Sequence, residues 1–218
     1  MPVNKILYSG RERCYTCYRP KSSCLCSAIT AFDTDTKFII LMHPKEFKKT
    51  KNTTGRLTHL TLKNSELFIG IDFTNHSKIN DIISTHNSFV LYPSKEVINL
   101  STQKPSLDKK MAIFLIDSTW ACSKSMLRES KNLQKLQKIS FDNTKLSQYK
   151  IKEQPAEYCL STIESTLTVL SLLNKHNIEK IDNNNLENFL NPFHKMVDYQ
   201  ITCISKSNKN SVRFKKYF

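Results

Sequence analysis

Glycine is nearly missing from this chain, with three in 218 residues. Neither G-x-G-x-x-G nor G-x-x-x-x-G-K occurs, so the glycine-rich loops that cradle dinucleotides and triphosphates are excluded. No apolar run approaches the roughly 18–20 residues that span a bilayer. Met1–Gly10 has no apolar stretch ending in a small-residue cleavage site, so no secretory signal is expected. Together these absences point to a cytoplasmic protein without membrane contact. Acidic residues are also few, 19 against 33 Lys and Arg, leaving a net charge of +14. An excess of that size favours a polyanionic partner, nucleic acid above all. Arginine is scarce beside lysine, 6 to 27, as an AT-rich coding sequence alone would produce. The positions of the arginines therefore say more than the total charge. Arg11, Arg13, Arg19, Arg56 and Arg128 all lie in or beside the motifs below.

With 39% hydrophobic and 24% charged residues, the chain has enough apolar side chains for one well-buried domain and a small appendage. Seven cysteines without a secretory signal argue against a disulfide framework. Four of them crowd between positions 14 and 26, whereas Cys122, Cys159 and Cys203 are scattered and suit ordinary buried thiols.

Continuous apolar runs at Phe38–Met42, Leu67–Ile69, Phe89–Tyr92 and Ala112–Ile116 read as strands covered on both faces. The fold class they predict is α/β, a mainly parallel sheet flanked by helices. A helix is expected over Ala121–Gln137 from Cys122, Met126, Leu133 and Leu136. Another is expected after Ser161-Thr162-Ile163-Glu164, which has capping-box spacing, with Ile163, Leu167, Leu170 and Leu173 as its apolar stripe. A third helical region spans about Asn185–Ser205, with Phe189, Phe193, Val197, Ile201 and Ile204 on one face and Pro192 interrupting or restarting it. Three parts follow: a metal-binding segment at 1–30, the main domain at 31–205, and a basic tail at 206–218 that reads as solvated.

Cys14-x2-Cys17-x6-Cys24-x-Cys26, with Arg19-Pro20 shaping the turn between pairs, can close a tetrahedral site around zinc. An iron–sulfur cluster is the competing occupant. Four protein ligands leave no open position, so such a metal is structural. Asp117-Ser118-Thr119-Trp120 follows a strand and opens a helix, the place where open α/β sheets bind ligands. Ser118 or Thr119 can cap that helix while Asp117 faces the crevice; equally, Asp117 can be only a cap and Trp120 only packing. His43-Pro44-Lys45-Glu46, Asn52-Thr53-Thr54-Gly55-Arg56-Leu57 and Tyr92-Pro93-Ser94 follow other strands and suggest one shared pocket. A lone histidine such as His43 is more often structural than catalytic.

Taken together, these pieces resemble the DTW-domain family from about Arg11 to Leu173. They are the Cys-x-x-Cys-x-Arg-Pro-x3-Cys-x-Cys run at 14–26, His-Pro-x-Glu at 43–46, Thr-Gly-Arg-Leu at 54–57, Tyr-Pro-Ser at 92–94, Asp-x-Thr-Trp at 117–120, Gln-Pro at 154–155 and Ser-Thr-Ile-Glu at 161–164. One departure is Lys152, where the family pattern has arginine; lysine keeps the charge and loses the bidentate fork. The resemblance implies a knotted fold like that of SPOUT methyltransferases. It also implies S-adenosylmethionine as co-substrate and transfer of an aminocarboxypropyl group to a tRNA uridine by a monomer or homodimer. Under it Asp117, Thr119 and Trp120 are catalytic. His43, Pro44, Tyr92, Pro93, Ser94, Ser161 and Thr162 bind the cofactor, and Arg19, Arg56, Lys124 and Lys152 contact RNA. Competing readings are an RNA methyltransferase on the same scaffold, an rRNA substrate, and a non-enzymatic zinc-ribbon RNA-binding protein.

Overall fold

Strands β1 (Lys37–Met42), β2 (Ser65–Ile69), β3 (Asn87–Leu91), β4 (Ile98–Asn99), β5 (Met111–Asp117) and β6 (Gln137–Ser140) form one parallel sheet in the order β2-β1-β5-β3-β6-β4. The structure is a computed structural model, and it describes residues 12–48, 53–143, 146–149 and 159–206. The expected α/β class is therefore what the chain adopts. The sequence reading found β1, β3 and β5 as buried runs. It placed Leu67–Ile69 as a buried strand too, but β2 lies at the sheet's edge and Ile69 is exposed. β4 and β6 escaped it, because two residues and Gln-Lys-Ile-Ser carry no apolar run.

Side chains alternate across the pleat, so each central strand feeds two cores. Phe38, Ile40, Ile113 and Leu115 face one layer. That layer holds Leu57 of α2 (Thr54–Thr61), Ile163, Val169, Leu170 and Leu173 of α6 (Thr162–Lys175), and Phe193, Met196 and Val197 of α8 (Asn191–Ser205). Ile39, Leu41, Ala112 and Phe114 face the other. There they meet Ile79 and Ile82 of α3 (Ser77–Thr85), Met126 of α4 (Trp120–Glu129) and Leu133 of α5 (Lys131–Gln134). Two short helices complete the set, α1 (Pro44–Lys48) and α7 (Asn183–Asn188).

Three helical expectations need adjustment. The single helix over 121–137 is two, broken at Ser130. That side chain accepts from Phe73 N and donates to Ile71 O, tying the break to the loop after β2. The region at 185–205 is also two helices, with Pro192 in the first turn of α8, where its missing N–H costs nothing. Ile201, expected on the buried face, is exposed near the end of α8, and Met196 packs in the core. The capping box of α6 is present as expected, with Ser161 and Glu164 bonded reciprocally. A knot depends on the whole chain path, which includes 150–158, outside the described residues. The tail beyond Lys206 lies outside them as well.

Outgoing connections set the place of the site. The chain leaves β1 toward β2 on one side and leaves β5 toward β6 on the other. Between β1 and β5 the winding reverses, and open sheets bind ligands beyond the carboxyl ends at such a point.

Candidate active site

Asp117 ends β5 at that point, pairing in register with Met42 of β1. Its backbone O accepts from His43 N at 3.1 Å, so the first residue after β1 is tied to the last of β5. The side chain is 6% exposed. Thr162, the first residue of α6, donates its hydroxyl to Asp117 Oδ1 at 2.7 Å. From the other side the first turn of α2 closes in. A Cβ on Gly55 would stand 2.5 Å from Asp117 Cγ and 2.6 Å from Oδ2, so only glycine fits there. The carboxylate thus sits against two helix N-termini, whose dipoles favour negative charge. Burial, followed by the charges of Asp117 and Glu46, pushes the Tyr149 hydroxyl well above the usual tyrosine range.

A crevice of about 670 Å³ opens beside Asp117, within the size range of small-molecule sites. Leu91, Leu115, Ile139 and Phe141 give it apolar walls; Asp117, Glu46, Thr54, Ser161, Thr162 and Asn143 give it polar ones. Trp120 stands partly exposed on its rim, its ring centroid 6.0 Å from that of Tyr92. Thr119 caps α4 through Cys122 N at 3.4 Å and also lines the crevice.

Of the expected cofactor residues, Tyr92, Pro93, Ser161 and Thr162 line this space, while His43, Pro44 and Ser94 do not. His43 is buried, and its Nδ1 accepts from Lys45 N at 3.1 Å, capping α1. Glu46, in one of the segments expected to share a pocket, lines it, and so do Ile139, Phe141 and Asn143, which the sequence did not single out. Only Glu46 had a signal, its place in His-Pro-x-Glu.

The four thiols at 14, 17, 24 and 26 come together with all Sγ atoms within 4.8 Å of one another, an arrangement that can hold one metal ion. Cys14 and Cys26 are 3.6 Å apart and Cys17 and Cys24 3.8 Å. Backbone N–H groups of Cys17 and Thr16 aimed at Cys14 pull its pKa down to about 6, while burial pushes the Cys26 thiol up. Leu25 anchors the segment in the main core.

The RNA-contact residues separate. Arg19, expected at the RNA surface, is buried, and its Nε donates to Ser23 O at 3.0 Å, which braces the cysteine turn. Lys124 is exposed on α4. Arg56 lies 4.6 Å from the Tyr18 ring centroid and 5.1 Å from that of Phe47; burial lowers its pKa. Arg11, Asn52, Lys152, Gln154 and Pro155 lie outside the described residues.

The fold and site define an α/β protein with a crevice at a topological switch point and a four-cysteine segment that can hold a metal ion. The DTW domain family model matches residues 11–201, and the chain belongs to that family. It is similar to tRNA-uridine aminocarboxypropyltransferase 2 of Drosophila melanogaster, 28% identical over 198 residues, which are 88% of this chain and 76% of the fly protein. The proteins of the same name in Macaca fascicularis and Mus musculus are 28% and 27% identical over 199 residues, 88% of this chain and 64% of each of theirs. The chain thus spans about three quarters of one relative and under two thirds of the others. No solved structure matches. Among the described residues no helix is long and apolar enough to cross a membrane.

Proposed function

We propose that this chain transfers the 3-amino-3-carboxypropyl group of S-adenosylmethionine to N3 of a tRNA uridine, releasing methylthioadenosine, and acts in the cytoplasm. The observation that carries the reading is Asp117, buried at the switch point and facing a crevice of fitting size. The relatives' names supply the reaction class.

The residues present suit the co-substrate: apolar walls for an adenine and a thioether, and carboxylates for cationic groups. When bound, S-adenosylmethionine supplies an activated side-chain carbon with a neutral thioether as leaving group. The rest falls to the protein. Tyr92, Pro93 and Ser161 hold the ligand from the crevice walls, while the Thr162 hydroxyl is turned to Asp117. Trp120, with Tyr92 beside it, gives the entering uracil an aromatic face. Asp117 accepts the N3 hydrogen, fixing the base in line with the carbon to be transferred. As N3 acquires positive character its proton becomes acidic, and Asp117 takes it. Thr162 fixes the direction of the carboxylate and Gly55 lets the helix close on it.

In the metal segment we assign zinc. A Zn–S bond of about 2.3 Å in a tetrahedron puts sulfurs roughly 3.8 Å apart, which the 3.6 and 3.8 Å pairs match. Four protein ligands leave the ion a structural role, setting the working division into 1–30, 31–205 and 206–218.

Two labelled co-substrates test the reaction. Incubated with the protein and tRNA, label in the carboxyl carbon enters RNA and label in the methyl group does not. Methyl incorporation refutes the reading and identifies a methyltransferase; neither label with tRNA, but carboxyl label with rRNA, moves the substrate.

A further inference from the structure

Arg56 is held in an unusual way. Tyr18, in the cysteine segment, adopts a left-handed backbone with φ 58 and brings its ring to within 4.6 Å of the guanidinium carbon. Phe47 of α1 adds a second ring at 5.1 Å. Both rings remain accessible, at 50% and 40% exposure. Stacking fixes the plane of a guanidinium and leaves its N–H groups directed outward along that plane. Arg56 Nε is buried and has no hydrogen-bond partner, one of two such side-chain atoms among the described residues. Nε itself is closed to solvent, but Arg56 as a whole is only half-buried, so an outside acceptor meets the clamped cation through its terminal nitrogens.

The acceptor's chemistry follows from the donor. A planar, pre-oriented fork matches an oxyanion that can take two parallel hydrogen bonds. Two sources exist, an RNA phosphodiester and the co-substrate's carboxylate. Position favours the first: Arg56 does not line the crevice, while the residue before it, Gly55, touches Asp117. The cation therefore stands just outside the crevice, one residue from the glycine that packs on Asp117. Lys45 and Lys48, exposed on α1 either side of Phe47, add to the positive surface.

We propose that Arg56, clamped by Tyr18 and Phe47, binds a backbone phosphate next to the target nucleotide, so that the metal segment forms one wall of the RNA site. This rests on the RNA-modifying reading above. It gives the cysteine cluster a purpose beyond stability: the metal sets the turn that presents Tyr18.

The test uses the metal-loaded full chain and fluorescence anisotropy with tRNA over a salt series. Each phosphate contact contributes about 0.7–0.9 to the slope of log affinity against log salt. Arg56→Gln is expected to lower the slope by about that much. Arg56→Lys should keep the slope and weaken binding about tenfold, because charge survives and the fork does not. Tyr18→Ala, at a half-exposed position, should weaken binding about fivefold alone and hardly at all in the Arg56→Gln background. A wild-type slope in Arg56→Gln overturns the proposal, as does unchanged RNA affinity with weakened S-adenosylmethionine binding and unchanged binding of methylthioadenosine, which lacks the carboxylate; that pair assigns Arg56 to the co-substrate. Should Arg56→Gln fail to fold, full additivity of Tyr18→Ala with Arg56→Lys overturns it instead. Wild-type protein that binds no tRNA defeats both this and the RNA-modifying reading. A slope loss in a protein that transfers the methyl label keeps the phosphate site and refutes only the activity.

Discussion

The two ends of the parallel strands each bury a carboxylate, and the two are treated differently. At the amino end Glu179, between α6 and α7, accepts from Asp35 N at 3.0 Å and Thr36 N at 2.5 Å, just before β1. Asn64 adds a bond to Thr34 O at 2.9 Å, and the loops there are laced together. At the carboxyl end Asp117 receives a side-chain donor from Thr162 and faces an open crevice rimmed by a partly exposed tryptophan. Glu179 spends its oxygens on backbone that would otherwise be unsatisfied. Asp117 holds a charge beside a space large enough for a ligand. Equal burial therefore does not mean equal purpose; what faces the oxygens decides it.

Exchanging the two roles by mutation is the sharpest way to break this comparison. Asp117→Ala should lower transfer about a thousandfold, while the thermal midpoint stays within about 2 °C of wild type or rises, since a buried charge at a working site costs stability. A large drop in the midpoint with activity retained would make Asp117 a structural twin of Glu179. The reverse holds for Glu179→Ala. One buried and one part-buried N–H group lose their acceptor, at a cost of about 2–4 kcal/mol, and the midpoint falls by roughly 5–15 °C. Below the transition the turnover of the folded fraction should match wild type; calorimetry and single-turnover assays on one preparation check both.

Why one end was readable in advance and the other was not has a physical basis. Asp117 stood out because an apolar run and a helix start bracket it, and both signals are local. The cysteines and the Ser161–Glu164 box announced themselves by spacing alone. Glu179 gave no such sign, since its partners lie 143 and 144 residues away. Insertion of β5 between β1 and β3 is likewise a long-range fact that no window contains. β6 went unread because it buries one side chain, Ile139, and the helical spacing of Leu133 and Leu136 ran straight into it. Arg19 and Arg56 looked alike as motif arginines, and only burial separates the brace from the stacked fork.

The cysteine segment extends the carboxyl-end side of the comparison through Tyr18 and Arg56, and its order is expected to depend on pH. Metal binding requires thiolates, and a protonated thiol competes with the ion. Cys14, with a pKa pulled down to about 6, is mostly thiolate at neutral pH and mostly protonated at pH 5. All four thiols must lose their protons to bind the ion, and burial pushes the Cys26 thiol up, so the metal is held much less tightly at pH 5 than at pH 7. A chelator titration with a metal-sensitive dye measures this. An affinity that does not change between pH 7 and pH 5 would contradict ligation by thiolates. Through this loss the amino-end laces should stay intact, with Glu179 still bonded and the sheet's circular dichroism unchanged.

The finest distinction between the two carboxylates lies in the single donor from α6. Thr162→Val removes the hydroxyl that fixes Asp117 Oδ1 and keeps the side chain's shape. Such a bond is worth about 1 kcal/mol, so turnover should fall about fivefold, with substrate KM nearly unchanged because the crevice walls are intact. Thr162→Ser restores the donor and should recover most of the rate, which a purely packing role for Thr162 would not allow. If valine instead raises KM and leaves kcat alone, Thr162 serves ligand binding and Asp117 is aimed by other contacts. Glu179 has no counterpart to this experiment, since backbone donors hold it in place, and that difference separates a carboxylate that must point from one that must only accept.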